Sequence, residues 1–94
     1  MKIEGIIWLD EITEKLMAKH HVSQDEVREV FAKKPHFRYI EKGYRQAEDV
    51  YAAMSQTDGG RYLIVLFVYK KDRHALILTA RDMTRAERRK YGQR

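Results

Sequence analysis

The sequence predicts an α+β fold in which N-terminal helices pack on a small sheet of three or four antiparallel strands, followed by a short basic C-terminal helix. Three observations predict it. Apolar residues recur at helical intervals in the first third, β-branched and aromatic runs separated by turn signals fill the middle, and a helix-capping pattern opens the last segment. Because the chain has 94 residues and no cysteine, we expect one domain over residues 1–94, with the helices on one face of the sheet.

The first segments are predicted to be a short strand and a helix. Residues 3–8 are apolar enough for a strand, and Asp10 is a good N-cap for a helix over residues 10–20. One side of that helix is apolar and consists of Ile12, Leu16 and Met17.

A second helix is predicted to start at Ser23, because Ser23 and Glu26 have the spacing of a capping box. Its buried side consists of Val27, Val30 and Phe31. Pro35 indicates where it has ended, because proline lacks the N–H that a helix interior needs.

The middle of the chain is predicted to contain extended segments over residues 36–41, 49–56, 61–69 and 74–80. An Asp-Gly-Gly turn signal at residues 58–60 and a polar stretch at residues 70–73 favour hairpins between the last three. In the second segment, alternation places Tyr51 and Ala53 on one face and Val50, Ala52 and Met54 on the other.

The last segment is predicted to be a helix from Thr84 to about Tyr91. Thr84 and Glu87 repeat the capping-box spacing. Glu87 therefore has a sufficient structural role as the partner of Thr84, and the alternative is that it orients Arg81 or Arg88. Tyr91 is either an apolar anchor for this helix or a phenol that stacks on a base or moves a proton.

The apolar segments are too short for a membrane span. The longest run, residues 62–69, has eight residues, against the roughly 18 to 20 that cross a bilayer. The first residues also lack the basic and then apolar pattern of an export signal. We therefore expect a cytoplasmic protein without a membrane partner.

The positive charge is concentrated near the C-terminal end. The formal net charge is +5, of which residues 81–94 carry +4 and residues 1–80 carry +1. Five of the six basic residues there are arginines, whose planar donors match a phosphate. The alternative is that these cations only stabilise a helix terminus and solvate the surface. It applies best to Arg85, Arg89, Lys90 and Arg94, and less well to Arg81, which ends a buried strand.

The four histidines are His20, His21, His36 and His74. None has the His-x₃-His or carboxylate spacing of a zinc site, so no metal site is expected. His20 lies at the predicted end of the first helix, where the helix dipole favours a protonated imidazole. It is either a helix-capping residue or a general acid or base.

Three stretches carry motifs that can be compared with known families. The first is Trp8 followed by Lys-His-His-Val-Ser at residues 19–23. The second is Gly-Arg-Tyr-Leu-Ile-Val at residues 60–65. The third is Thr-Ala-Arg at residues 79–81 with Thr84, Glu87, Arg88 and Tyr91. In this order they resemble the Trp...Lys-His-Gly-Val-Ser, Gly-Arg-x-Leu-x-Val and Ser-Ala-Arg...Thr-x-x-Glu-Arg-x-x-Tyr motifs of the BrnT family. BrnT proteins are bacterial type II toxins of the RelE-like ribonuclease superfamily.

The resemblance implies a toxin that cleaves RNA without a metal or other cofactor and so inhibits translation. Its implied partners are RNA and a ribbon-helix-helix antitoxin. The toxin would contact operator DNA only through that antitoxin. Arg81 and Arg88 would hold the scissile phosphate, and His20 with Lys19 would transfer protons. The implied catalytic residues are Lys19, His20, Arg81, Glu87, Arg88 and Tyr91, and the expected RNA contacts are Arg45, Arg61, Arg85 and Arg89.

Two positions depart from the family pattern. Many members have arginine where this chain has Val50 and Leu76. Losing two phosphate-facing cations predicts a weaker ribonuclease, with Arg45 as the candidate replacement for one of them. The alternative function is therefore a family member that is catalytically weak or inactive and acts as an antitoxin-binding or nucleic-acid-binding module.

Overall fold

Five strands form one sheet with three helical segments packed against it, in a computed structural model that describes residues 1–43, 45 and 48–93. The strands are β1 (Gly5–Ile7), β2 (His36–Glu41), β3 (Val50–Gln56), β4 (Tyr62–Tyr69) and β5 (His74–Asp82). The helices are α1 (Asp10–Lys15), continued by a π-helix (Leu16–His20), then α2 (Gln24–Ala32) and α3 (Arg85–Gly92). None of these helices is long and apolar enough to cross a membrane.

The sheet has the order β1-β5-β4-β3-β2 and is mixed. The predicted antiparallel strands are present as β2 to β5, and the strand predicted over residues 3–8 is present as β1. The prediction of an antiparallel sheet of three or four strands was wrong, because β1 joins the sheet as a fifth strand parallel to β5. A parallel pair needs a long crossover rather than a hairpin. Here the partners are the first and last strands of the chain, and no local pattern indicates such a pairing.

The first helix covers residues 10–20 as predicted, but its N-cap residue and its last turns differ from the prediction. Its N-cap is Leu9, and Asp10 is the first helical residue, where its carboxylate is near the positive end of the helix dipole. After Lys15 the helix widens into the π-helix, and the N–H of Val22 donates to the carbonyl of Leu16 at 3.2 Å. Both side chains are buried, so the wide turn lets two residues six apart enter the same core.

The second helix begins as predicted. The Ser23 hydroxyl accepts from the Glu26 N–H at 3.1 Å, and the Glu26 carboxylate accepts from the Ser23 N–H at 3.1 Å. The helix buries Val27 and Val30.

The helices pack on both faces of the sheet rather than on one. The first core contains the N-terminal helices and the β3 residues Ala53 and Tyr51. The second core contains Ala52 and Met54, together with Tyr91 from α3. The face assignment predicted for these β3 residues is thus confirmed, whereas α3 lies on the opposite face from the other helices.

A β-bulge in β5 determines which face its last residues occupy. Ile77 pairs with Phe67 and Thr79 pairs with Leu66, so Leu78 has no partner in β4. Ile77 and Ala80 consequently face the same core. The extra residue reverses the alternation, and Arg81, which pairs with Ile64 of the second core, lies on the α3 face.

Candidate active site

Arg81 is held by a carboxylate from the neighbouring helix. Its Nη1 and Nη2 donate to the two oxygens of Glu87 at 2.7 and 2.9 Å, and Nη1 also donates to the Asp82 carbonyl at 3.1 Å. Glu87 accepts in addition from the Thr84 N–H at 2.8 Å, while the Thr84 hydroxyl accepts from the Glu87 N–H. Glu87 therefore performs both roles considered for it, capping α3 and orienting Arg81.

The pKa of Glu87 is lowered to about 2, mainly because Arg81 hydrogen-bonds to its carboxylate and despite the opposing effect of burial. Glu87 is thus ionised at neutral pH, and a carboxylate with so low a pKa is a poor proton acceptor. Its contribution to the site is to hold the guanidinium in one orientation.

The remaining edge of Arg81 is available to an anion. Nε and the second N–H of Nη2 have no acceptor among the described residues, and the side chain is 35% exposed. These two N–H groups form the side edge of a guanidinium fork, the geometry that binds two oxygens of one phosphate.

Arg61 has a different environment from the one expected of an RNA-binding residue. Nε and Nη2 donate to Asp82, Nη2 and Nη1 donate to the carbonyls of His20 and His21 at 2.6 and 2.7 Å, and Nη1 also contacts Glu26 at 3.3 Å. Every N–H of this guanidinium therefore has an acceptor within the protein. Arg61 thus connects four chain segments, and the RNA contact expected of it stays a prediction.

Asp82 lies between the two arginines. Its carboxylate binds Arg61 and its carbonyl accepts from Arg81. The pKa of Asp82 is lowered, first by the Arg61 hydrogen bond and to a smaller extent by the charges of Arg61 and His20. Asp82 thus joins the network around the end of the π-helix to the Arg81 site, although the sequence motifs did not single it out.

Lys19 and His20 lie at the outer edge of β5. Since β1 pairs only with residues from His74 to Leu76, the rest of this edge is left to the π-helix. The two side chains line a cavity of about 140 Å³ with Thr79 and Leu78. The structure thus places the predicted proton-transfer pair beside the end of β5, whereas Arg81 projects from the α3 face of that same strand.

Arg88 stacks on an aromatic ring beside α3. Its guanidinium carbon lies 4.0 Å from the centre of the Tyr62 ring, and Tyr62 meets Tyr91 edge to face with ring centres 6.1 Å apart. Tyr91 packs against the second core, which confirms that it anchors α3. A shallow hollow of about 380 Å³ is formed here, which we call the α3 hollow, and its lining consists of Gln56, Tyr62, Arg85, Arg88, Arg89, Tyr91 and Gly92.

The other predicted cations do not join this region. Arg45 is exposed in the connection between β2 and β3, at the opposite end of β3 from Gln56. Val50 and Leu76, the two positions that depart from the resemblance described above, both pair with Val68 and form an apolar row across β3, β4 and β5. Arg94 lies outside the described residues.

The sequence motifs did not identify Gln56 and Tyr62 as candidate site residues, although both line the α3 hollow. A usable signal was present, because the Asp-Gly-Gly turn between them predicts that the two residues face each other across a hairpin, as they do.

The part of the chain that the structure describes contains no group of three or more His, Cys, Asp or Glu residues placed to hold a metal ion.

The Arg81–Glu87 pair predicts acid-sensitive stability. The folded pKa of Glu87 is about 2, against an ordinary value of 4.5, so its stabilising effect is complete above pH 4.5 and is lost as the pH falls towards 2. Glu87 is 17% exposed. Between about pH 6 and about pH 2.5, the wild type should therefore lose about 2 kcal/mol more unfolding free energy than Glu87→Gln. Urea unfolding at both pH values measures this, and equal losses would contradict it.

The chain matches the model of a known protein family. A family model described as "Ribonuclease toxin, BrnT, of type II toxin-antitoxin system" matches residues 8–87, which is most of the chain. The match includes Lys19, His20, Arg61, Arg81 and Glu87, and it ends before Arg88. A comparison with curated proteins finds no match.

Proposed function

Because the chain belongs to the BrnT family, the ribonuclease toxins of type II toxin-antitoxin systems, we propose that it cleaves RNA by a metal-independent reaction and thereby inhibits translation. The family implies an antitoxin partner and an RNA target. We further propose that the antitoxin is a ribbon-helix-helix protein, that operator DNA is contacted only through it, and that the toxin acts in the cytoplasm.

The proposed reaction uses the 2′-hydroxyl of the substrate as the nucleophile. Its oxygen attacks the adjacent phosphorus, the bond from phosphorus to the 5′-oxygen breaks, and the products are a 2′,3′-cyclic phosphate and a 5′-hydroxyl. The protein must hold the phosphate, remove one proton from the 2′-hydroxyl, return one to the leaving oxygen, and stabilise the negative charge that develops on the phosphate oxygens.

The observation that carries the proposal is the geometry of Arg81. Glu87 holds one edge of the guanidinium. The other edge, formed by Nε and Nη2, therefore has a fixed orientation before any phosphate binds. A donor pair that is already oriented stabilises transition-state charge better than a flexible one. Arg81 thus binds the scissile phosphate in this mechanism, and Glu87 is its positioning residue.

Proton transfer is assigned to His20 with Lys19. Both side chains lie beside the end of the strand that carries Arg81. Imidazole ordinarily titrates near neutral pH and can therefore act as base or acid, while the Lys19 ammonium adds positive charge close to it. Arg85, Arg88, Arg89 and Tyr91 line the α3 hollow and are assigned to RNA binding, which for Arg88 and Tyr91 replaces the catalytic role that the resemblance implied.

The test uses purified protein and a short RNA with one mapped cleavage site. We expect cleavage to persist in a chelator, to yield a 2′,3′-cyclic phosphate, and to stop when the nucleotide 5′ of that site is 2′-deoxy. Cleavage of the 2′-deoxy substrate would contradict the proposal, as would a requirement for added metal.

The second candidate function is a binding module without nuclease activity. The apolar row of Val50, Val68 and Leu76 on the α3 face favours it, because the resemblance implies arginines at positions 50 and 76 and this row presents no charge to a phosphate. Under this alternative the same protein binds its antitoxin tightly, leaves every RNA intact, and does not slow growth when expressed alone.

A further inference from the structure

The α3 hollow has the composition of a nucleotide-binding surface. Three arginines and two tyrosines line it, and no carboxylate does. None of Arg85, Arg88 and Arg89 forms an ion pair with a described residue, in contrast to Arg61 and Arg81. A volume of about 380 Å³ is within the usual range for a small-ligand site, roughly 300 to 1,000 Å³.

The stacked pair inside the hollow gives it a preference for flat ligands. Tyr62 supports the Arg88 guanidinium from one side at 4.0 Å, and Arg88 is exposed, so its outer face is open. Single-stranded RNA is commonly bound by stacking bases on aromatic rings and on guanidinium planes.

Gln56 provides a polar group at the edge of the hollow. Its Nε2 donates to the Gly60 carbonyl at 3.0 Å, which fixes the amide and leaves Oε1 as an acceptor. Base amino groups are donors that such an oxygen can bind.

The hollow is also next to the Arg81 site. Arg81 pairs with Ile64, two residues after Tyr62 on the same face of β4, and diagonal neighbours of this kind are about 7 to 8 Å apart in an antiparallel sheet. An RNA strand whose phosphate contacts Arg81 can therefore place its adjoining nucleotide in the hollow.

The geometry points to the α3 hollow as a subsite for one RNA nucleotide beside the scissile phosphate. Its base stacks on the Arg88–Tyr62 pair and its phosphate is bound by Arg85 and Arg89. This assignment rests on the proposed function for the identity of the ligand as RNA, but it concerns binding rather than cleavage.

The test measures binding of an uncleavable 2′-deoxy-substituted RNA by fluorescence anisotropy. Tyr62→Leu removes the ring and should bind at least about fivefold more weakly than Tyr62→Phe, which keeps it. Inorganic polyphosphate carries the charge without bases, so its affinity should be the same for both variants. An equal RNA affinity of Tyr62→Phe and Tyr62→Leu would overturn the subsite, and so would a parallel loss of polyphosphate binding in Tyr62→Leu.

A second pair of variants keeps the proposal testable if Tyr62→Leu fails to fold. Arg88→Met and Lys90→Met remove one charge each from exposed positions of α3, but only Arg88 lines the hollow. We expect Arg88→Met to weaken RNA binding several-fold more than Lys90→Met, and equal effects would overturn the assignment. A protein that binds as expected but cleaves no RNA would retain the subsite and refute only the ribonuclease proposal.

Discussion

Arg61→Ala should lower the free energy of unfolding by about 3 kcal/mol. The substitution removes hydrogen bonds to the carbonyls of His20 and His21 and ion pairs with Asp82 and Glu26. The Arg61 side chain is only 27% exposed, so solvent replaces these contacts incompletely. In a domain of this size the loss corresponds to a fall in Tm of roughly 12 to 24 °C.

Urea unfolding of the wild type and three variants measures this effect. Arg61→Lys keeps the charge but not the planar fork and should recover only part of the stability. Arg85→Ala is the matched control, because Arg85 is exposed and has no ion pair with a described residue, and it should change the unfolding free energy by less than about 0.5 kcal/mol. A loss below about 1 kcal/mol for Arg61→Ala would show that the network is an ordinary surface cluster.

Arg81→Ala should reduce the single-turnover rate of RNA cleavage by about 10²- to 10³-fold. The reason is the loss of the oriented Nε and Nη2 donors that the proposed reaction places on the scissile phosphate. Arg81→Lys retains a charge but cannot supply two parallel donors, so its rate should lie closer to alanine than to wild type.

Glu87→Gln separates orientation from charge in the same assay. The amide still accepts from the Thr84 N–H, but it can receive only one of the two hydrogen bonds that Arg81 donates. We expect a smaller fall in rate than for Arg81→Ala, with RNA affinity little changed. If Arg81→Ala cleaves within about threefold of the wild type, which is under 1 kcal/mol of transition-state stabilisation, the phosphate lies elsewhere.

The capping boxes and the strand faces were predictable because they depend on neighbours in the chain. Ser23 with Glu26 and Thr84 with Glu87 satisfy each other's backbone groups within four residues. Ala52 and Ala53 face opposite cores because successive strand residues alternate. The concentration of arginine after residue 80 was likewise visible in the sequence, and the structure places Arg81 and Arg88 on the same side of the sheet.

The π-helix and the role of Arg61 were not predictable in the same way. The spacing of Ile12 and Leu16 is compatible with an ordinary α-helix. The wider turn becomes visible only in the structure, where Leu16 and Val22 are both buried and the Val22 N–H donates to the Leu16 carbonyl. The Gly-Arg motif at residue 60 indicates a cation but not its acceptors. Those acceptors include carbonyls about forty residues earlier in the chain.

The sequence by itself determined the helical segments, the five strand segments, the family motifs and the arginine-rich end, because these follow from short-range propensities and side-chain types. Only the tertiary structure decided on which face of the sheet each of these cations lies and which acceptors it has within the protein. Arg81 reaches the α3 face because the bulge at Leu78 shifts the alternation of β5 by one residue, whereas Arg61 is used to join the π-helix to the sheet. A one-residue shift in register transfers a side chain to the other face of a sheet, and pairing across the sheet, rather than composition, fixes that register.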